Sequence, residues 1–147
     1  MSTYTQILYQ IVFSTKHRAL TLSSDNRQRL FEYISGILKN KNCFVYQIGG
    51  VADHIHIITH LHPSVALSSL VKDIKLASTD YIKTNKLFPK FTGWQEGYGA
   101  FTYSIDAKAR LIAYAKNQEL HHQRLTFLEE YIDLLKESEV LFEEKYI

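Results

Sequence analysis

Two histidines separated by one residue, His54 and His56, have a spacing that suits chemistry. In an extended segment, residues two apart project to the same side. Their imidazoles would stand side by side while Ile55 and Ile57 point into a core. Neutral imidazole is the commonest protein metal ligand, and two on one rigid strand have their spacing set before a metal arrives. His60 and His62 continue the same parity, but Pro63 follows them, so they are read as strand-end or surface residues. The His56 to His60 spacing imitates part of a zinc-protease signature, yet that signature needs a helix and a Glu after the first His, and here Ile57 follows. Further along, Tyr114 and Gln118 stand four apart, which on a helix puts a phenol and an amide one above the other. Tyr114 also fits simple packing beside Leu111 and Ala115. Asp53, next to His54, is a candidate to orient an imidazole.

The elements that must position these residues follow from periodicity. Residues 5–14 alternate, with Ile7, Tyr9, Ile11 and Phe13 on one face, and predict a strand. Leu30, Phe31, Ile34, Ile37 and Leu38 fall at helical spacing after capping candidates at 23–25. A strand over about 43–48 meets Gly49-Gly50, read as a turn, and then the histidine strand 54–61. Leu67, Leu70, Val71, Ile74, Ala77 and Tyr81 mark a second helix, with Lys72, Lys75 and Lys83 on its solvent side. A short aromatic strand at 99–104 precedes a third helix, capped by Asp106 and running to about His121. A last helical pattern, Phe127, Leu128, Tyr131, Ile132 and Leu135, lies in the acidic C-terminal segment of about 124–147. The order predicts an α+β fold, the ferredoxin-like β-α-β-β-α-β sandwich: an antiparallel sheet with helices on one face, plus extra C-terminal helices. Many unrelated activities use this architecture, so the site has to decide.

With 147 residues, 46% of them hydrophobic and 22% charged, the chain is expected to form a single domain spanning 1–147. Cys43 is the lone cysteine, which excludes an intrachain disulfide and a cysteine-based zinc site. No run approaches the roughly 18 apolar residues of a membrane span, so no membrane partner is expected and the protein is read as cytoplasmic and unprocessed. The net charge of +2 conceals a division: 14 Lys/Arg against 7 Asp/Glu up to Gln118, a net of +7, and 3 against 8 beyond it, a net of −5. A basic body is what a phosphate backbone asks for.

Asp53-His54-Ile55-His56 resembles the His-hydrophobe-His motif of the HUH superfamily, and Tyr114 to Gln118 resembles the helix of its single-tyrosine transposase branch. The opening strand through Arg18 and the segment 94–101, Trp-Gln-Glu-Gly-Tyr-Gly-Ala-Phe, are similar to those of the small single-strand insertion-sequence transposases and the palindrome-associated tyrosine transposases. The resemblance implies that His54, His56 and Gln118 bind a divalent cation, Mg²⁺ or Mn²⁺, and that Tyr114 is the catalytic nucleophile. One amide oxygen and two nitrogens, with positions open for water and phosphate, suit such a cation. It further implies cleavage and rejoining of single-stranded DNA through a 5′-phosphotyrosine, recognition of a hairpin flanking the transposon end, and a homodimer whose active site is shared between subunits. The alternatives are a non-cleaving hairpin DNA- or RNA-binding protein, and a metal-dependent hydrolase, which would leave Tyr114 without a role.

Overall fold

The sheet is built outward from its most apolar strand. In the computed structural model, which describes residues 2–147, β1 (Leu8–Ser14) is buried along almost its whole length. It pairs antiparallel with β3 (His54–His60) on one side and β4 (Gly99–Tyr103) on the other. β2 (Phe44–Gly50) pairs antiparallel with the outer edge of β3, giving the order β2-β3-β1-β4. This is the expected ferredoxin-like topology.

One face of the sheet carries Ile11, Phe13, Ile55 and Ile57. It is covered by α1 (Ser24–Asn40), through Leu30, Ile34 and Leu38, and by α2 (Leu67–Asn85), through Leu70, Val71, Ile74 and Ile82. The other face carries Leu8, Val12, Ile58 and Phe101, and the C-terminal helices close over it. These are α3 (Lys108–Lys116), α4 (Gln118–His121) and α5 (Phe127–Glu137). An 11-residue helix is marginal in isolation. α5 is held by a capping box between Thr126 and Glu129 and by burial of Phe127, Tyr131, Leu134 and Leu135, each contributing about 1.5–3 kcal/mol.

Five local readings change. The first strand starts at Leu8, since residues 3–7 carry no strand pairing. Gly49 and Gly50 are not the turn: they end β2 paired with His56 and Ile55, and residues 51–53 make the connection. Gly49 is there because α3 crosses it, and a Cβ would lie 1.8 Å from the Ala115 carbonyl oxygen. The third helix is not continuous: it breaks at Asn117 (φ −99°, ψ 24°), so Gln118 opens α4. Lys75 is not on the solvent side, because its Nζ donates to the Gln95 and Gly97 carbonyls and lies over the Phe13 ring, tying residues 95–97 to α2. The acidic segment itself is not one helix but α5 followed by a short 3₁₀ turn at Glu144–Tyr146.

Candidate active site

β3 projects His54 and His56 toward the C-terminal helices, while Ile55 and Ile57 enter the α1/α2 core, as strand alternation requires. Both histidines are fully buried, and their ring centroids lie 5.1 Å apart. Each has its Nδ1 tied down. His54 Nδ1–H donates to Asp53 Oδ1 at 2.7 Å, and His56 Nδ1–H donates to Gln10 Oε1 at 2.8 Å. Such partners set the tautomer and leave Nε2 facing the site. Gln10 is in turn fixed by donating its Nε2–H to the Tyr103 hydroxyl at 2.9 Å.

Tyr114 and Gln118 reach the same place from α3 and α4. Despite the break at Asn117 they stay together, since the Gln118 amide donates to the Tyr114 carbonyl at 3.3 Å. Gln118 Oε1 lies 3.0 Å from His54 Nε2. The four residues singled out from the sequence are therefore neighbours within one chain.

What joins them is a residue that sequence reasoning left in the acidic segment. Glu130 on α5 is buried, with Oε1 at 3.2 Å from His54 Nε2, 2.9 Å from His56 Nε2 and 3.1 Å from His122 Nε2. Its Oε2 accepts the Tyr114 hydroxyl and, at 3.3 Å, the Gln118 amide. A signal for it was present, because Glu130 lies three residues after Phe127 and four before Leu134, on the apolar stripe of its helix. A carboxylate at a core position needs partners. Gln10, with Leu8 and Val12 on the same face of β1, gave a weaker hint of the same kind.

Burial and partners compete at each group. Burial would lower the pKa of His54, but the hydrogen bonds to Asp53 and Glu130 outweigh it and raise it to about 9. At His56 burial prevails and the pKa falls. Burial would raise that of Glu130, yet the imidazoles of His122, His54 and His56 hold it far below the usual carboxylate range. Burial, then the hydrogen bond and the charge of Glu130, push the Tyr114 phenol well above its ordinary value. The phenol therefore keeps its proton near neutral pH.

Access is restricted. Tyr114 borders a cavity of about 100 Å³ with Gln10, Arg110 and Glu130. A larger cavity, about 780 Å³, reaches Asp53 and His122 between Arg27 and Arg124. The His122 and Phe127 rings line that cavity, with centroids 4.4 and 4.5 Å from that of His54.

Residues 3–118 match the family model described as "Transposase IS200 like", which takes in β1 through Gln118 and therefore the histidine pair and Tyr114. The chain belongs to the IS200-like transposases. This is the single-tyrosine HUH family that the motifs resemble. No curated protein sequence matches the transposase. Among solved structures it is similar to a transposase candidate from Deinococcus radiodurans R1, at 20% identity and TM-score 0.63, covering 80% of this chain and 95% of that one. It is also similar to a REP-associated tyrosine transposase bound to a REP hairpin, at 16% identity and TM-score 0.60, covering 83% of this chain and 74% of that one. At these identities the structures establish the fold. α5, which delivers Glu130, lies beyond the matched residues. No helix among the described residues is long and apolar enough to cross a membrane.

Proposed function

We propose that this transposase cleaves and rejoins single-stranded DNA through a covalent link to Tyr114, with a divalent cation held by His54, His56 and Gln118. The observation that carries the reading is the convergence of one phenol, two imidazoles and one amide in a buried site inside a single chain. The fit to a cation rests on electron pairs. Asp53 Oδ1 occupies the Nδ1–H of His54, so a neutral His54 aims an Nε2 lone pair at Gln118 Oε1 and Glu130 Oε1. Donor atoms facing one another in this way need a proton or a metal between them. The mixed nitrogen and oxygen set, without thiolate, suits Mg²⁺ or Mn²⁺. Bound there, the cation would draw charge from a phosphate oxygen and ease ionisation of the nearby phenol.

Tyr114 Oη would attack phosphorus, forming the tyrosyl O–P bond as the P–O3′ bond breaks; the 5′-phosphoryl stays on the enzyme and a 3′-hydroxyl is released. Glu130 Oε2 accepts the phenolic O–H and so orients the nucleophile. Because one phosphodiester replaces another, the link can be resealed to a second DNA end without a nucleotide cofactor. The basic body and the hairpin held by one structural neighbour support a hairpin-flanked DNA substrate. We take residues 1–147 to act as one domain, since α5 supplies a residue to the site. A homodimer of this transposase would carry two complete sites, as all four residues meet within one chain.

Hairpin-bearing single strands and matched duplexes, incubated with Mn²⁺ or with chelator, test the reading. Nicking of the single strand in the presence of the cation alone is expected. Tight hairpin binding with no nicking under any divalent cation would instead make the protein a non-cleaving binder.

A further inference from the structure

His122 has the same predicament as His54. Its Nδ1–H donates to the Leu125 carbonyl at 2.6 Å, an oxygen that can only accept, so a neutral His122 turns an Nε2 lone pair toward Glu130 Oε1 at 3.1 Å. His54 turns its own toward the same oxygen at 3.2 Å. With both rings neutral one carboxylate oxygen would face two lone pairs, a gap that protons or a bound cation fill, and the ligand atoms of His54, His122 and Glu130 all lie within 4.8 Å of one another. Two lone pairs and an anionic oxygen repel unless something positive lies among them. Adjacent ligands of an octahedral ion with bonds near 2.1 Å are about 3 Å apart. The spacings of 3.0 Å between His54 and Gln118, and 3.1 and 3.2 Å from Glu130 to His122 and His54, are of that size; His56, 2.9 Å from Glu130, lies outside the 4.8 Å group and would draw closer when the ion binds.

We infer that Glu130 and His122 are ligands of the same divalent cation, so that the segment following the tyrosine helix completes the metal site. The inference rests on the reading that a cation binds the His54–His56 pair, and it adds two residues outside the family match. Glu130 supplies the anionic oxygen that a set of imidazoles and one amide lacks, which a hard dication favours. It also links the cation to the nucleophile, with Oε1 on the metal side and Oε2 on the Tyr114 hydroxyl. α5 would then be fastened over the sheet by coordination as well as by Phe127, Tyr131 and Leu134.

The test is Mn²⁺ binding to the DNA-free full chain, followed by electron paramagnetic resonance of the free ion, for the wild type, Glu130→Gln and His122→Ala. Each variant is expected to bind at least about tenfold more weakly, as loss of even an outer partner of a metal site costs that much. Equal or tighter binding by Glu130→Gln would overturn the inference, because the carboxylate would then be standing where the ion goes. Pulsed resonance on Mn²⁺-loaded wild type reads the imidazoles without a variant: three ¹⁴N-coupled rings are expected, and two would remove His122. If the wild type shows no saturable Mn²⁺ binding, the cation reading itself fails; if it binds and nicks while Glu130→Gln binds equally well, this inference alone does.

Discussion

Gly49→Ala connects one missing methyl group to the position of the nucleophile. The added Cβ would sit 1.8 Å from the Ala115 carbonyl oxygen and 2.6 Å from its carbon, both backbone atoms that no rotamer change can clear. Real Cβ contacts essentially never fall under 3.0 Å, so α3 and β2 must separate by 3.0 − 1.8, or about 1.2 Å. Ala115 lies between Tyr114 and Gln118, and β2 pairs Gly49 with His56, so the shift moves the phenol and amide relative to the imidazoles. A misplacement of about 1 Å can cost on the order of 100-fold in rate, and overpacking costs roughly 1–3 kcal/mol, several degrees in Tm for a chain of this size. Gly36 in α1 is the matched control, with no atom within 4 Å of its virtual Cβ. Gly36→Ala should keep full activity and gain about 0.5–1 kcal/mol from helix propensity. Thermal melts and rates of single-strand nicking measure both quantities. Wild-type Tm and wild-type rate in Gly49→Ala would refute the close crossing of α3 over β2.

Two other expectations rest on the histidines. Gln10→Leu removes the acceptor of His56 Nδ1–H while filling similar volume, so Mn²⁺ affinity should fall about 10- to 100-fold with the fold intact by circular dichroism; unchanged affinity would show that Gln10 does not orient the ring. In chelator, His54 has its pKa raised from 6.5 to about 9, so its contribution to stability is complete below about pH 6.5 and is lost as pH rises through about 9. That contribution is on the order of 3 kcal/mol, from 1.36 kcal/mol per unit, and urea midpoints between pH 6 and 9.5 should fall more for the wild type than for His54→Gln. Parallel curves would contradict the raised value.

The histidine pair was legible because strand alternation needs nothing beyond neighbouring residues: Ile55 and Ile57 point into one core and His54 and His56 away from it, as read. Tyr114 and Gln118 were legible from helical spacing, although the chain breaks at Asn117 and a carbonyl hydrogen bond, rather than a continuous helix, keeps the two together. The ferredoxin-like order followed from the sequence of elements, and the helices expected beyond it cover the second sheet face. Gly49 was misread because a Gly-Gly pair signals a turn locally, whereas its reason, the crossing of Ala115, lies 66 positions along the chain. Glu130 was hidden by averaging, since a segment with a net charge of −5 reads as solvated surface until packing shows which carboxylate faces inward. Lys75 shows the same thing in a cation: it lies off the apolar stripe of α2, yet its ammonium is held by two carbonyls.

The decisive event is the bonding of Tyr114 to DNA. Hairpin-bearing single-stranded DNA, labelled on the 3′ side of the cleavage site, is incubated with Mn²⁺, denatured, digested with protease and analysed by mass spectrometry. A 5′-phosphonucleotide on the peptide containing Tyr114, absent in Tyr114→Phe and in chelator, is the predicted result. Nicking that leaves every tyrosine unmodified, or an adduct that survives Tyr114→Phe, would contradict it.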